Sequence, residues 1–378
     1  MNLSSTHAPS TVANCSGIQS RFDGRSSVAI KSTVLCMIFI TALMGNIILI
    51  TVIMKTKSLR RTMNYFLVNR AVADIIMPAF YVPRELFPII SGSHEWQISG
   101  EFGAAMCKLL PFIIDTASVV SILSMICITI DRFCAVVLPM KRDLITGKTR
   151  TATIILTWFL GILYTAPWFY VAKIRTVGLA RYCVVSWEPA FDHFKSMTIQ
   201  VVLLVVIFGI FPWILVCVLY TMMVLGVEKS KKAAGDRRRS SEAPCRQSRR
   251  SSNDARVMRL ALTVVAVLAI CNFPHCTMLM VVAFAWRWVV NCTTKPAYWD
   301  ILFATAKYLV LANTAINPLI CFVFGENFRK GLKTLLVRPK TRLMSLLGQS
   351  KTSNTTVHIN ALSSLVERQP ASPRGSYG

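Results

Sequence analysis

Met106–Leu138 reads MCKLLPFIIDTASVVSILSMICITIDRFCAVVL. Between Lys108 near its start and Asp131-Arg132 near its end, the only charged side chain is Asp115. The run exceeds the roughly 20 helical residues that cross a ~30 Å hydrocarbon layer. It does not alternate apolar and polar residues, which excludes a strand of a membrane β-barrel. A helix across a bilayer is the reading that remains. Six further runs of this kind flank it: Thr33–Met54, Asn64–Ile90, Thr153–Val171, Ser196–Leu225, Val257–Phe284 and Trp299–Phe322. Several carry proline (Pro78, Pro83, Pro167, Pro212, Pro274, Pro318), which bundled membrane helices tolerate because neighbours satisfy the freed carbonyls.

The composition agrees. Of 378 residues 54% are hydrophobic and 16% charged, against about 25% charged in a soluble domain. Mean hydropathy is +0.52. A soluble enzyme would have to hide more apolar side chains than its interior could hold. The net charge of +25 raises nucleic-acid binding, but the basic residues sit between apolar runs too long for a soluble core. The fold class expected is all-α, a seven-helix membrane bundle over residues 33–322. Residues 1–32 form an outer segment and 341–378 a cytoplasmic tail without apolar periodicity. In the interfacial region 323–340, Glu326–Leu336 gathers Phe328, Leu332, Leu335 and Leu336 on one side, as a helix lying along the inner leaflet does. No internal repeat is present, which counts against paired-repeat transporters.

Charge sets the expected orientation. Lys55, Lys57, Arg60 and Arg61 fill the first connector; Lys141, Arg142, Lys148 and Arg150 lie in the third. The fifth, Gly226–Arg256, is the most basic, while the second, fourth and sixth carry less. Cytoplasmic connectors collect Lys and Arg, so the N-terminus is expected outside and the C-terminus inside a cell membrane. The first 27 residues lack an apolar h-region, so no cleaved signal peptide is expected. Asn2 and Asn14 then head outer glycosylation sequons. Most of the 12 cysteines fall inside apolar runs, but Cys15, Cys107, Cys183 and Cys292 fall outside, in the oxidising compartment.

Ionisable groups inside membrane spans are expensive and mark function. Span two carries Arg70 and Asp74, span three Asp115, Asp131 and Arg132, and span seven Lys307. Asn46, Ser121, Asn313 and Asn317 add neutral polarity at comparable depth, either as glue between helices or as the lining of one hydrated core.

Taken in order, the motifs resemble the rhodopsin family of G-protein-coupled receptors. They are Gly45-Asn46, Asn69-Arg70-Ala71-Val72-Ala73-Asp74, Asp131-Arg132-Phe133, Trp158, Pro212 with Tyr220, Pro274, and Asn317-Pro318-Leu319-Ile320-Cys321. The likeness covers about Thr33 to Leu336. It implies no enzymatic activity and no cofactor. A heterotrimeric G protein would be the inner partner, with arrestin and receptor kinases after activation. The resemblance implies a disulfide between Cys107 and Cys183. Cys15 and Cys292, left over outside, are expected to form a second bridge. Asp131, Arg132, Tyr220, Asn317 and Pro318 are the expected coupling and switch residues. Asp254, at the start of span six, either reaches Arg132 as a lock on the inactive state or is an exposed helix-start carboxylate.

Single positions narrow the ligand. A retinal Schiff base would need a Lys where Leu311 stands, and an amine receptor an Asp where Ile114 stands. Asp115 is one position on, about 100° around the helix, and should point away from the amine site. Asn64-Tyr65-Phe66-Leu67-Val68-Asn69, Cys107-Lys108 and Trp96 ahead of Phe102-Gly103 are similar to receptors of the neuropeptide Y, neuropeptide FF and orexin-like group. An extracellular peptide is therefore the expected ligand. Arg84, Glu85, Asp115 and Lys307 are candidate polar contacts, and Phe191, His275, Leu279 and Phe303 apolar ones. Glu85 and Lys307 could equally pair with each other. The loop Ala172–Lys195 is long enough for a hairpin lid. A small amine or lipid ligand, or an atypical scavenger receptor that couples weakly, is the alternative.

Some positions depart from the family's pattern. Asn272 stands for a Trp, Leu268 for a Phe, Cys321 for a Tyr, and Arg70 for a Leu. In the family, the position of Asp74 holds a sodium ion together with those of Ser121, Asn313 and Asn317. Arg70, four residues before Asp74 on the same helix face, is expected to weaken that site. Ser240, Ser241, Ser251 and Ser252 follow arginine runs, as sites of basophilic kinases do.

Overall fold

The computed structural model describes residues 25–137, 146–238, 263, 266–288, 296 and 298–337. Among them are seven helices long and apolar enough to cross a membrane: α1 Ser26–Lys55, α2 Thr62–Ser91, α3 Gly100–Ala135, α4 Gly147–Val171, α5 His193–Gly226, α6 Ala266–Ala285 and α7 Trp299–Phe324. Asn2, Asn14, Cys15, Ser240, Ser241, Ser251, Ser252, Asp254, Cys292, the tail 341–378 and the first residues expected of span six lie outside the described residues.

Several helices begin before their apolar runs. α1 starts seven residues ahead of Thr33, and α3 and α4 each start six residues ahead of the expected Met106 and Thr153. Hydropathy marks where hydrocarbon begins, whereas a helix continues until a cap ends it. The caps are local. Thr146 accepts from the Thr149 amide at 3.2 Å at the head of α4, and Asp192 accepts from the Lys195 amide at 2.7 Å at the head of α5. α2 closes at Gly92, whose φ of 68° turns the chain out while its N–H bonds Pro88 O. The carboxylate of Asp192 is thereby engaged at the helix start.

α2 and α3 form the centre. Leu35, Ala73, Met77, Val82, Ile114, Ala117, Val120 and Leu311 make a buried apolar cluster that joins α1, α2, α3 and α7. Two glycines permit close helix approach. A Cβ on Gly45 would stand 2.7 Å from Pro318 Cγ, and one on Gly161 would stand 3.2 Å from a Val120 methyl. The Gly45 half of the Gly45-Asn46 motif is thus a steric requirement of the α1–α7 contact. Large apolar side chains on α4, α5 and α6, among them Ile155, Leu163, Ile214 and Phe273, are exposed on the protein and suited to lipid.

α5 widens into a π-helical stretch, Leu204–Ile210, just ahead of Pro212, and α6 does so over Val281–Ala285. Proline lacks the amide that would close the preceding turn, and a wide turn is one way to absorb the loss. Between α4 and α5 the strands β1 (Ala172–Val177) and β2 (Ala180–Val185) pair antiparallel, with Ile174 opposite Cys183. Gly178, at φ 62°, supplies the tight two-residue turn. The expected hairpin is present. Beyond Gly325, residues 326–337 are helical.

Candidate functional site: two mouths and a polar core

At the end that carries the hairpin, the Cys107–Cys183 disulfide is formed, with Cα atoms 5.7 Å apart, and ties β2 to the head of α3. Glu85 of α2 and Lys307 of α7 meet: Lys307 Nζ donates to both carboxylate oxygens at 2.7 and 2.8 Å. Each side chain keeps 27% of its surface exposed, so the pair is half-buried and still reachable. Of the two readings of these residues, the ion pair is the one realised. Around it stand aromatic rings. Lys307 lies 5.8 Å from the Phe303 ring, Phe303 packs against His275 at 5.9 Å, and Trp299 stacks on Phe303 at 6.3 Å. His275 Nδ1 and the Tyr81 hydroxyl are buried here without a hydrogen-bond partner among the described residues.

Four of the eight expected ligand contacts are therefore brought together: Glu85, His275, Phe303 and Lys307. The other four are placed differently. Asp115 accepts from the indole N–H of Trp168 at 2.8 Å, so its carboxylate is directed at α4. The offset of one residue from Ile114 foresees this rotation but not the partner. Arg84 is exposed, with Asp115 as an electrostatic neighbour. Phe191 packs edge-on against Trp187 and Tyr170 at 5.9 and 6.2 Å, in an aromatic group formed by the end of α4 and the connector to α5. Leu279 packs with Val201, Val205 and Ala283 in the α5–α6 contact. Trp299 and Tyr81 were missed. Tyr81 lies one helical turn before Glu85, a spacing that could have found it.

At mid-depth, Asp74 is 1% exposed and accepts from Ser121 Oγ at 2.7 Å and Asn317 Nδ2 at 2.9 Å. Arg70 Nε lies 3.6 Å from its Oδ2. Asn46 donates to Thr314 O on α7 at 3.0 Å as well as to Ala42 O, which is the gluing role. Asn313 is buried, and its Oδ1 has no partner among the described residues. Asn69 donates to Ser124 and Thr157 and accepts from Trp158 at 2.9 Å, so two quoted motif residues, Asn69 and Trp158, tie three spans into one network. On α6, Asn272 turns back on its own helix and donates to Leu268 O.

At the opposite end of the bundle, Arg132 Nη2 donates to Asp131 at 2.8 Å. Arg132 Nε is buried without a partner among the described residues. Tyr220 of α5 is buried and packed with Met125, Val216, Met223 and Leu268. Pro318 packs against α1 at Gly45.

Charged groups gathered at the two mouths and the centre, with apolar side chains facing outward between them, define a multi-pass membrane protein of seven helices. Residues 45–320 match the family described as 7 transmembrane receptor (rhodopsin family). The chain belongs to that family. It is 27% identical over 324 residues to a QRFP-like peptide receptor of Branchiostoma floridae, covering 84% of this chain and 79% of that one. It is 28% identical over 309 residues to the neuromedin-K receptor of Rattus norvegicus, covering 81% and 63%. It is 29% identical over 311 residues to the pyroglutamylated RF-amide peptide receptor of Rattus norvegicus, covering 78% and 66%. Of the two rat relatives, then, the chain spans slightly under two thirds.

Proposed function

We propose that this chain is a receptor for an extracellular peptide that signals through a heterotrimeric G protein. The peptide is received at the hairpin-covered mouth, and the G protein docks at the Asp131–Arg132 mouth. The Glu85–Lys307 ion pair carries the reading. A half-buried carboxylate and ammonium set among His275, Phe303 and Trp299 offer charge-assisted bonds and apolar surface to a peptide terminus. The pair is neutral as it stands, so a ligand group that takes one partner releases the other. The peptide-receptor names of the relatives support the same class. The amine reading loses its acid, because Asp115 is engaged by Trp168 and Ile114 is packed in the core. The basic connectors support an outer N-terminus, and Ser240, Ser241, Ser251 and Ser252 offer basophilic kinases a regulatory segment, with arrestin and receptor kinases as the further partners that the family implies.

The test is a panel of C-terminally amidated peptides on cells expressing the chain, reading cyclic AMP and calcium. An amidated peptide is expected to elicit a response. Glu85→Gln and Lys307→Met should each lower its potency about tenfold or more, because a charged hydrogen bond is worth roughly 1.5–3 kcal/mol. A response confined to amines or lipids would overturn the assignment.

A further inference from the structure

We propose that Arg70 is the built-in counter-cation of Asp74, so that the polar core of this receptor takes no exchangeable sodium ion. The family's sodium site implies a core of carboxylate, hydroxyl and amide oxygens open to a small cation. The residues present do not fit it. Arg70 is 2% exposed and among the largest fully buried side chains of the chain, and its Nε stands 3.6 Å from Asp74 Oδ2. A guanidinium is always protonated, so a cation is permanently fixed beside the carboxylate. A second cation at Asp74 would meet that like charge in a medium where charges interact strongly. It would also need space that the arginine side chain already fills.

One feature explains how α2 accommodates so large a group. Cys321 of α7 is buried beside both charges, and its short side chain leaves the space a larger residue would occupy. Arg70 Nε and Nη2 have no hydrogen-bond partner among the described residues, so the ion pair with Asp74 is the contact that balances the guanidinium's charge. Arg70 is enclosed rather than reaching for the cytoplasmic interface, so snorkelling does not account for its position.

The inference rests on the polar core alone, so its test uses no peptide ligand and is independent of the proposed function. The purified full chain in detergent is unfolded thermally in sodium chloride and in choline chloride at equal ionic strength. The unmodified chain is expected to show the same Tm in both salts at every concentration. In Arg70→Leu, Asp74 loses its resident cation, and a sodium-specific rise in Tm should appear and grow with concentration, as binding to the folded state requires. A sodium-specific rise in the unmodified chain overturns the proposal. An Arg70→Leu chain that folds without any sodium effect overturns the claim that Arg70 is what excludes the ion. If Arg70→Leu fails to fold, Asp74→Asn decides: a loss of Tm equal in the two salts supports the fixed pair, and a loss confined to sodium overturns it.

Discussion

Trp158 gives its indole proton to Asn69, and Asn69 passes amide protons to Ser124 and Thr157, so one asparagine joins α2, α3 and α4. Removing it strands a buried indole donor along with two hydroxyl groups. Asn69→Ala should therefore cost about 1–3 kcal/mol of stability, read as a fall in Tm of the purified chain. Arg70 and Cys321 make a second residue-scale case. A tyrosine at position 321 would press on an enclosed guanidinium, so Cys321→Tyr alone should lower Tm more than it does in an Arg70→Leu background. A double-mutant cycle measures the difference; additive losses would show that the two side chains do not share space. The second case was legible in the sequence, because i,i+4 spacing puts Arg70 and Asp74 on one face; of the first, only Asn69 and Trp158 stood out, as motif residues without a partner. It could not show the Asp115–Trp168 bond. That contact depends on how α4 is rotated against α3, a packing property that no spacing within α3 encodes.

Helices announce themselves through apolar length, but their ends depend on caps, and so the runs located α1–α7 while misplacing several starts by six or seven residues. The π-helical stretches were invisible in the same way, since Pro212 forecasts a disturbed turn without saying whether the helix kinks or widens. The hairpin was foreseen only as a length of chain; its register follows from Gly178 and the pairing of Ile174 with Cys183. Because Cys107 and Cys183 make one bond, Cys107→Ala and Cys183→Ala should each abolish surface expression, and the double variant should be no worse than either. At the α1–α7 contact, Gly45→Ala places a methyl 2.7 Å from Pro318 Cγ. Overpacking of this kind typically costs about 1–3 kcal/mol, so the variant should unfold at lower temperature than the unmodified chain.

At the scale of the molecule, the excess of basic residues in odd-numbered connectors predicts how the chain is oriented. An epitope at the N-terminus should be reached by antibody on intact cells, and one at the C-terminus only after permeabilisation. The reverse pattern would invert the roles assigned to the two mouths. Enclosure is unevenly shared among the helices. Protein covers 56% of the most apolar stretch of α2 and 50% of that of α3, but 22% in α5 and 17% in α6. The bundle thus has a keel and a flank. Helices that share little surface with their neighbours are the least costly to displace, and those at the centre cannot shift without dragging several others. Backbone amides near the water-facing ends of α5 and α6 should accordingly exchange with deuterium before those at equal depth in α2 and α3. By the same inequality α4, α5 and α6 are the helices expected to yield first when the bundle is pushed, and α2 and α3 the last.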